Sequence, residues 1–212
     1  MHILVRSMVD HASLGATDNL LAYHNREHVD YMFVAYWELY REEPTAEEAL
    51  AIAYHDVVYV PGAPLGMNEQ LSALKFQQHY DRYNSRYFRD GGQLPVDTFR
   101  VKQLILATSV ECYLHPAKLG PPRETHRVLD CDLAMLGNSD YEVFKDAQFR
   151  ILSEYTGNYN EETQTLWDLR PQARFLETFL AKEHIYHTPQ AKGFEVNARR
   201  NIQRLMEEVN IA

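Results

Sequence analysis

The sequence carries two histidines four residues apart, His24 and His28, in the string Tyr-His-Asn-Arg-Glu-His. On a helix this spacing places both imidazoles on one face, which is the geometry that a shared site requires. A second candidate is the pair His55-Asp56, whose side chains point about 100° apart on a helix but can reach one ion beyond the helix end. Imidazole and carboxylate together are typical ligands of divalent transition metals. These residues therefore indicate metal-dependent chemistry.

Carboxylates also interrupt an apolar helical stretch further along the chain. Asp130 and Asp132 stand about 200° apart on a helix, so one is expected to face the core and the other to be solvated or capping. A carboxylate on the apolar side of a helix is costly to bury unless a cation or several donors meet it. Glu69, which with Asn68 follows a loop rich in proline and glycine, is a further acidic candidate.

The segments around these residues predict an all-α fold, because a strand-like β-branched run is confined to residues 57–60. Thr45 and Glu48 form a capping box ahead of the apolar segment 49–54. Ordinary helix lengths suggest roughly seven to nine helices. No linker-like segment interrupts the chain, so we expect one domain over residues 1–212.

Capping residues predict further helix boundaries. Asn68 and Asp97 can each cap the start of a helix. Ser139 begins a second capping box, Ser-Asp-Tyr-Glu, and Gly137 is placed to end the preceding helix. The polar stretch 81–97 is predicted to be one large surface loop.

Composition and charge exclude several classes of function. The chain has 21 Lys and Arg against 30 Asp and Glu, a formal net charge of −9, so binding to a nucleic-acid backbone is not expected. No apolar run approaches the roughly 18 residues of a membrane span, and the first residues do not resemble a signal peptide. Cys112 and Cys131 lack metal-site spacing and are expected to be reduced core thiols of a cytoplasmic protein.

The order of the metal-type residues resembles the H…HD…D signature of the HD-domain superfamily of metal-dependent phosphohydrolases. The matching positions are His28, His55, Asp56 and Asp132. The resemblance implies a single HD-domain-like helical bundle in which these four side chains bind one divalent ion. It does not fix the identity of that ion, for which Mn, Mg, Zn, Fe, Ni and Co are all candidates. It also favours Asp132 over Asp130, because residue 132 stands where other members carry the aspartate of an A-D-x-L helix.

The string Tyr-His-Asn-x-x-His also resembles a motif of cyclic-nucleotide phosphodiesterases, a branch of that superfamily. In that branch the second histidine binds metal and the first protonates the leaving group, so the resemblance implies that His24 is the general acid. The closest resemblance is to a small group of predicted HD phosphohydrolases with no settled substrate. A second ion is left open, because Met67 and Glu111 depart from the acidic residue and the histidine expected at those positions.

The sequence therefore predicts metal-dependent hydrolysis of a small-molecule phosphoester, either a monoester or a diester, with nucleotides among the candidates. His24 is the expected acid, and Glu69 is the expected base or orienting group. One alternative is a non-catalytic module of the same fold that binds a metal or a nucleotide. Another is a zinc metallopeptidase of the H-x-x-E-H type, with Glu27 as base and Glu111 as third ligand.

Overall fold

The computed structural model describes residues 3–17, 21–88, 92–115, 123–156 and 169–211. Every regular element in these ranges is helical, so the prediction of an all-α fold is confirmed. The α-helices are α1 (Ile3–Thr17), α2 (Arg26–Tyr40), α3 (Ala46–Tyr54), α4 (Met67–Tyr87), α5 (Thr98–Ala107), α6 (Val110–Leu114), α7 (Arg123–Asp132), α8 (Tyr141–Thr156), α9 (Arg170–Leu180) and α10 (Lys192–Ile211). Short 3₁₀ turns cover Leu133–Gly137 and Pro189–Ala191.

Helix α3 lies at the centre of the bundle, and its sequence explains why. The predicted capping box is present, since Thr45 Oγ1 accepts from the Glu48 backbone N–H and Glu48 Oε2 accepts from that of Thr45. Residues 49–54 are all buried, and their alternating alanines let neighbouring helices approach closely. Helices α1, α2, α4, α5 and α7 all contact α3. The end of α3, where His55 follows, is therefore fixed inside the protein.

One cluster of buried apolar side chains extends from Val5 in α1 to Leu205 in α10. Both cysteines are free, but only Cys131 is fully buried, whereas Cys112 is half-buried. Within the described ranges, no helix combines the length and the apolar character needed to cross a membrane.

The predicted cap of α4 is wrong. The residue that precedes the helix is Gly66, which takes a left-handed φ of 76°, and Asn68 lies inside the first turn. The Asn68 amide instead clamps the loop that follows α3. Its Oδ1 accepts from the Val60 backbone N–H and its Nδ2 donates to the Val60 carbonyl.

The predicted loop 81–97 is also partly wrong, because α4 continues through its first half to Tyr87. Tyrosine side chains in this polar stretch face the rest of the protein, and a search for aliphatic residues at helical spacing does not detect them. Tyr83 contacts Ser7 of α1 through its hydroxyl, and Asn84 Oδ1 accepts from the backbone N–H of Leu94. The end of α4 is thus held partly by hydrogen-bonded side chains, whereas Ala73, Phe76 and Tyr80 bury its earlier turns in the core.

Two boundaries near residue 140 differ from the sequence prediction. Helix α8 is capped by Asp140, whose Oδ1 accepts from the Glu142 backbone N–H, and not by Ser139. Gly137 ends the 3₁₀ turn, but a left-handed φ is not the reason for glycine there. A Cβ at Gly137 would lie 2.7 Å from the Phe194 side chain, so glycine permits the close approach of α10. The predicted Asp97 cap of α5 is confirmed.

We expect buried His79 of α4 to make the fold sensitive to acid. Its Nδ1 accepts a hydrogen bond from the Tyr54 hydroxyl in the neutral form. Burial lowers the pKa of His79 from 6.5 to about 4, and the neighbouring charges of His11, Lys75 and Arg82 add to this. As pH falls below about 6.5, His79 therefore binds a proton in the unfolded chain but stays neutral in the folded chain until about pH 4. Stability is lost as pH falls through this window.

The test compares metal-free wild type with His79→Asn, which keeps an acceptor near the Nδ1 position. Between pH 7.5 and pH 5 the free energy of unfolding should fall by about 2 kcal/mol more in wild type than in the variant. Urea unfolding at constant ionic strength measures both proteins. Parallel pH dependences would contradict the prediction.

Candidate metal centre

Four side chains from the ends of three helices meet in one cluster. His28 lies in the first turn of α2, and Asp132 is the last residue of α7. His55 and Asp56 directly follow the last residue of α3. We refer to these four residues as the His-Asp cluster. The structure therefore brings together all four positions that the sequence motif singled out.

The atoms of the cluster that can bind a metal face one another. The Nε2 atoms of His28 and His55 lie 3.2 Å apart. Asp132 Oδ1 lies 3.1 Å from His28 Nε2 and 3.6 Å from His55 Nε2. Asp56 Oδ2 lies 2.9 Å from His55 Nε2, and one ligand atom from each of His28, His55 and Asp56 lies within 4.8 Å of the others. These three residues could hold a metal ion, with Asp132 beside them.

The ring orientations suit metal binding. His55 Nδ1 donates to the Ile52 carbonyl at 2.8 Å, so in the neutral ring the Nε2 lone pair faces the cluster. His28 Nδ1 is buried and has no partner among the described residues. The other ring nitrogen of His28, Nε2, is the one that faces His55. The lone pairs of two neutral imidazoles at this distance repel each other, and a cation between them removes the repulsion.

The electrostatics of the cluster favours positive charge. Burial by itself lowers the pKa of His55, but the charge and hydrogen bond of Asp56 raise it to about 10. Burial likewise opposes ionisation of Asp56, yet the charge of His55 lowers the pKa of Asp56. The pKa of His28 is lowered, chiefly by burial. A site that holds a proton this strongly also attracts a metal cation, which displaces the proton on binding.

Asp130 serves a different purpose from Asp132, although only one residue separates them. Its carboxylate is fully buried and accepts from the backbone N–H groups of His187 and Thr188, both at 2.8 Å. The Thr188 hydroxyl donates to it at 2.6 Å. The expectation that one of the two carboxylates would be solvated or capping is therefore wrong. Several donors compensate the burial of Asp130, which ties the segment before α10 to α7.

The spacing of His24 and His28 predicted that both lie on one face of a helix, and this prediction is wrong. Helix α2 begins at Arg26, and Asn25 is its N-cap, with Oδ1 accepting from the Glu27 backbone N–H. His24 lies in the turn before the cap. Its ring still comes close to the cluster, because the His24 and His28 ring centroids are 5.9 Å apart.

Glu154 of α8 holds His24 in this position. Its Oε2 accepts from His24 Nδ1 at 2.5 Å, and its Oε1 accepts from the backbone N–H groups of Tyr23 and His24. The Tyr59 ring stacks on the imidazole with centroids 3.8 Å apart. Burial by itself lowers the pKa of His24, but the hydrogen bond to Glu154 and the charge of Asp56 raise it overall. Glu154 and Tyr59 could not be predicted as partners of His24, since no local spacing in the sequence links them to it.

Two further side chains interact with the cluster, Glu69 electrostatically and Tyr113 by a hydrogen bond. Glu69 is half-buried in the first turn of α4, and burial raises its pKa, with the charges of Asp56 and Asp132 adding to this effect. Tyr113 of α6 donates a hydrogen bond to Asp132 Oδ2. The role of Glu69 as a base or orienting group stays a prediction.

Other candidates from the sequence do not extend the cluster. Glu111 and His115 are exposed at α6, and the His126 ring packs on that of His187 with centroids 5.0 Å apart. In the part of the chain that the structure describes, the only group of three or more metal-type side chains placed to hold an ion is the one at His28. The second ion that the sequence left open has no ligand group there.

The geometry does not support the peptidase alternative. The Glu27 side chain is 80% exposed and pairs with Arg150 Nη1 at 3.0 Å, so it points away from the histidines. His24 Nδ1 is engaged by Glu154, and Glu111 is exposed. The H-x-x-E-H residues therefore do not converge on one ion.

A cavity of about 520 Å³ opens beside the cluster. His24, Tyr113 and Asp132 form part of its wall. The rest of the wall consists mainly of aliphatic and aromatic side chains from the 3₁₀ turn after α7 and from α8 and α9. A small molecule in this cavity would contact both His24 and the cluster.

Comparison of the chain with protein-family models, curated proteins and solved structures found no match. The resemblance to the HD-domain superfamily therefore stays an expectation from the sequence motif.

Proposed function

We propose that this protein is a metal-dependent phosphohydrolase that cleaves a small-molecule phosphoester at the His-Asp cluster. One observation carries the proposal. Two imidazole Nε2 atoms lie 3.2 Å apart and face the carboxylates of Asp56 and Asp132. Nitrogen and oxygen donors in this combination suit Mn, Fe, Co, Ni or Zn better than Mg, which prefers oxygen ligands. Four protein ligands of this kind leave room for water and substrate on an ion that accepts more than four.

A divalent ion bound there would lower the pKa of a water molecule toward about 7 and polarise a phosphoryl oxygen. The protein's own part is to hold the ligands in the correct protonation state and orientation. Ile52 does this for His55, and Tyr113 does it for Asp132 by donating to the oxygen that does not face the imidazoles. With a formal net charge of −9, the chain needs local positive charge to attract an anionic phosphoester.

His24 donates the proton that the departing oxygen needs. Glu154 engages Nδ1, so Nε2 is the ring nitrogen left to carry the transferable proton. Despite burial, the hydrogen bond to Glu154 raises the pKa of His24, which favours the protonated ring. His24 also lines the cavity in which a substrate would lie. Glu69 is the candidate to orient the attacking water, since it is half-buried and its carboxylate interacts electrostatically with Asp56, Asp132 and His55.

The test is elemental analysis of purified protein followed by a panel of phosphomonoesters and phosphodiesters. We expect a stoichiometric divalent ion, loss of turnover on chelation, and recovery when Mn, Co, Ni or Zn is added back. Glu27→Gln should keep full activity, because Glu27 lies on the solvent side of α2. Turnover that persists after complete chelation would contradict the proposal. A retained ion without turnover of any phosphoester would favour the non-catalytic alternative.

A further inference from the structure

The cavity beside the cluster has an unusually uncharged wall for a site that would bind an anion. Among the described residues that line it, only His24 and Asp132 carry a full charge, and both belong to the end where the reaction would occur. The floor is apolar and deeply buried, with Leu136 and Leu176 among its residues. Tyr155 at the rim is more exposed. A ligand that enters this cavity exchanges water for aliphatic and aromatic contacts.

One pair of amides supplies polarity to the wall. Gln172 Nε2 of α9 donates to Gln148 Oε1 of α8 at 3.0 Å, and Gln148 is 1% exposed. Each amide can make four hydrogen bonds, so the pair keeps donor and acceptor capacity for a ligand. The pair is neutral and cannot balance a buried anion.

We infer that this cavity binds the alcohol part of the phosphoester and selects uncharged, largely apolar alcohols over those with a second anionic group. The inference rests on the proposed function. A volume of about 520 Å³ is in the range that holds small-molecule ligands, roughly 300 to 1,000 Å³. A carboxylate or second phosphate placed against this wall would lose its hydration and gain no cation from the residues that the structure describes there. Each methylene buried there should instead strengthen binding by about fourfold at most.

The first test uses primary alkyl monophosphates, which share the same leaving oxygen and differ only in the chain. The metal-loaded protein should hydrolyse hexyl phosphate with a kcat/KM roughly 15-fold or more above that of ethyl phosphate. This factor corresponds to about twofold for each of the additional methylenes, as expected if each is partly buried. The comparison substrate 6-phosphonooxyhexanoate has the same number of carbons and a terminal carboxylate. Its kcat/KM should be at least about tenfold below that of hexyl phosphate.

A charge introduced into the wall tests the same inference from the protein side. Gln172→Lys places a cation at the half-buried amide, and Gln172→Met is the matched uncharged change. We expect Gln172→Lys to reduce the preference for hexyl phosphate over 6-phosphonooxyhexanoate by about tenfold. Gln172→Met should leave that preference unchanged. An unchanged preference in Gln172→Lys would count against the cavity as the alcohol site.

Two failures can be told apart. Equal kcat/KM for ethyl and hexyl phosphate, or faster hydrolysis of the carboxylate substrate, overturns the inference and leaves the proposed function intact. If no ester is hydrolysed, the proposed function fails, and calorimetry with hexylphosphonate and ethylphosphonate then tests the cavity alone. Tighter binding of hexylphosphonate by a similar factor supports an apolar ligand site, and equal binding overturns it.

Discussion

Asp132→Asn should abolish metal retention, whereas Asp130→Asn should keep the metal and weaken the fold. Asp132 contributes a carboxylate oxygen 3.1 Å from His28 Nε2, so the change removes a negative charge from the cluster itself. Loss of a group that only orients a ligand costs about 10- to 100-fold in metal affinity. Loss of a direct ligand should lower the metal affinity by more than about 100-fold.

Asp130→Asn acts on different contacts. The carboxylate accepts hydrogen bonds from His187 and Thr188, and an amide in its place presents an NH₂ group to donors that it cannot satisfy. We expect the free energy of unfolding of the metal-free protein to fall by about 2 to 4 kcal/mol. Metal content should match that of wild type, because Asp130 faces away from the cluster.

Metal affinity by calorimetry and urea unfolding of the metal-free protein measure the two effects separately. The pair is a matched comparison, because both variants carry the same chemical change two residues apart on α7. Equal metal affinity in Asp132→Asn and wild type would remove Asp132 from the ligand set. Loss of metal in Asp130→Asn, with the fold intact, would reverse the assignment.

His24→Gln should lower kcat by roughly 100- to 10,000-fold while the protein retains its metal, because a positioned general acid contributes a factor of this size. His24 lies outside the cluster, in the turn before α2, so its loss leaves all four ligands in place. Metal content, measured by elemental analysis, separates loss of the acid from loss of the ion. A variant that keeps wild-type kcat would contradict the role of His24.

Glu154→Gln should reduce kcat by a smaller factor than His24→Gln does, and it should also change the pH dependence of kcat. The hydrogen bond to Glu154 helps to raise the pKa of His24, so a neutral amide lowers that pKa. Activity that requires protonated His24 falls as pH rises through this pKa, and the basic limb of the kcat profile should therefore move to lower pH. Glu142→Gln on the same helix, which removes a surface charge paired with Arg204, is the matched control. Reduced kcat with an unmoved basic limb would show that Glu154 acts only on structure.

Sequence-based prediction succeeded at two helix starts whose physical cause is local. The Thr45 and Glu48 capping box and the Asp97 cap depend on hydrogen bonds between residues three apart, so the sequence alone predicts them. It failed at α4, where Tyr83 and Asn84 bind partners that lie elsewhere in the chain. It also failed at His24, because the Asn25 cap breaks the helix between the two histidines.

The residue types and their order by themselves determined the helical class and singled out His28, His55 and Asp56. The preference for Asp132 over Asp130 came from the family resemblance alone. Only the tertiary structure decided which groups surround them. Glu154 meets His24 across 130 positions of the chain, and Asp130 is buried because the segment at Thr188 supplies its donors. Helical periodicity reports which side of a helix is apolar, but the partners of a polar side chain depend on how separate helices pack. The pairing of His24 with Glu154 and the apolar cavity are therefore properties of the packed bundle.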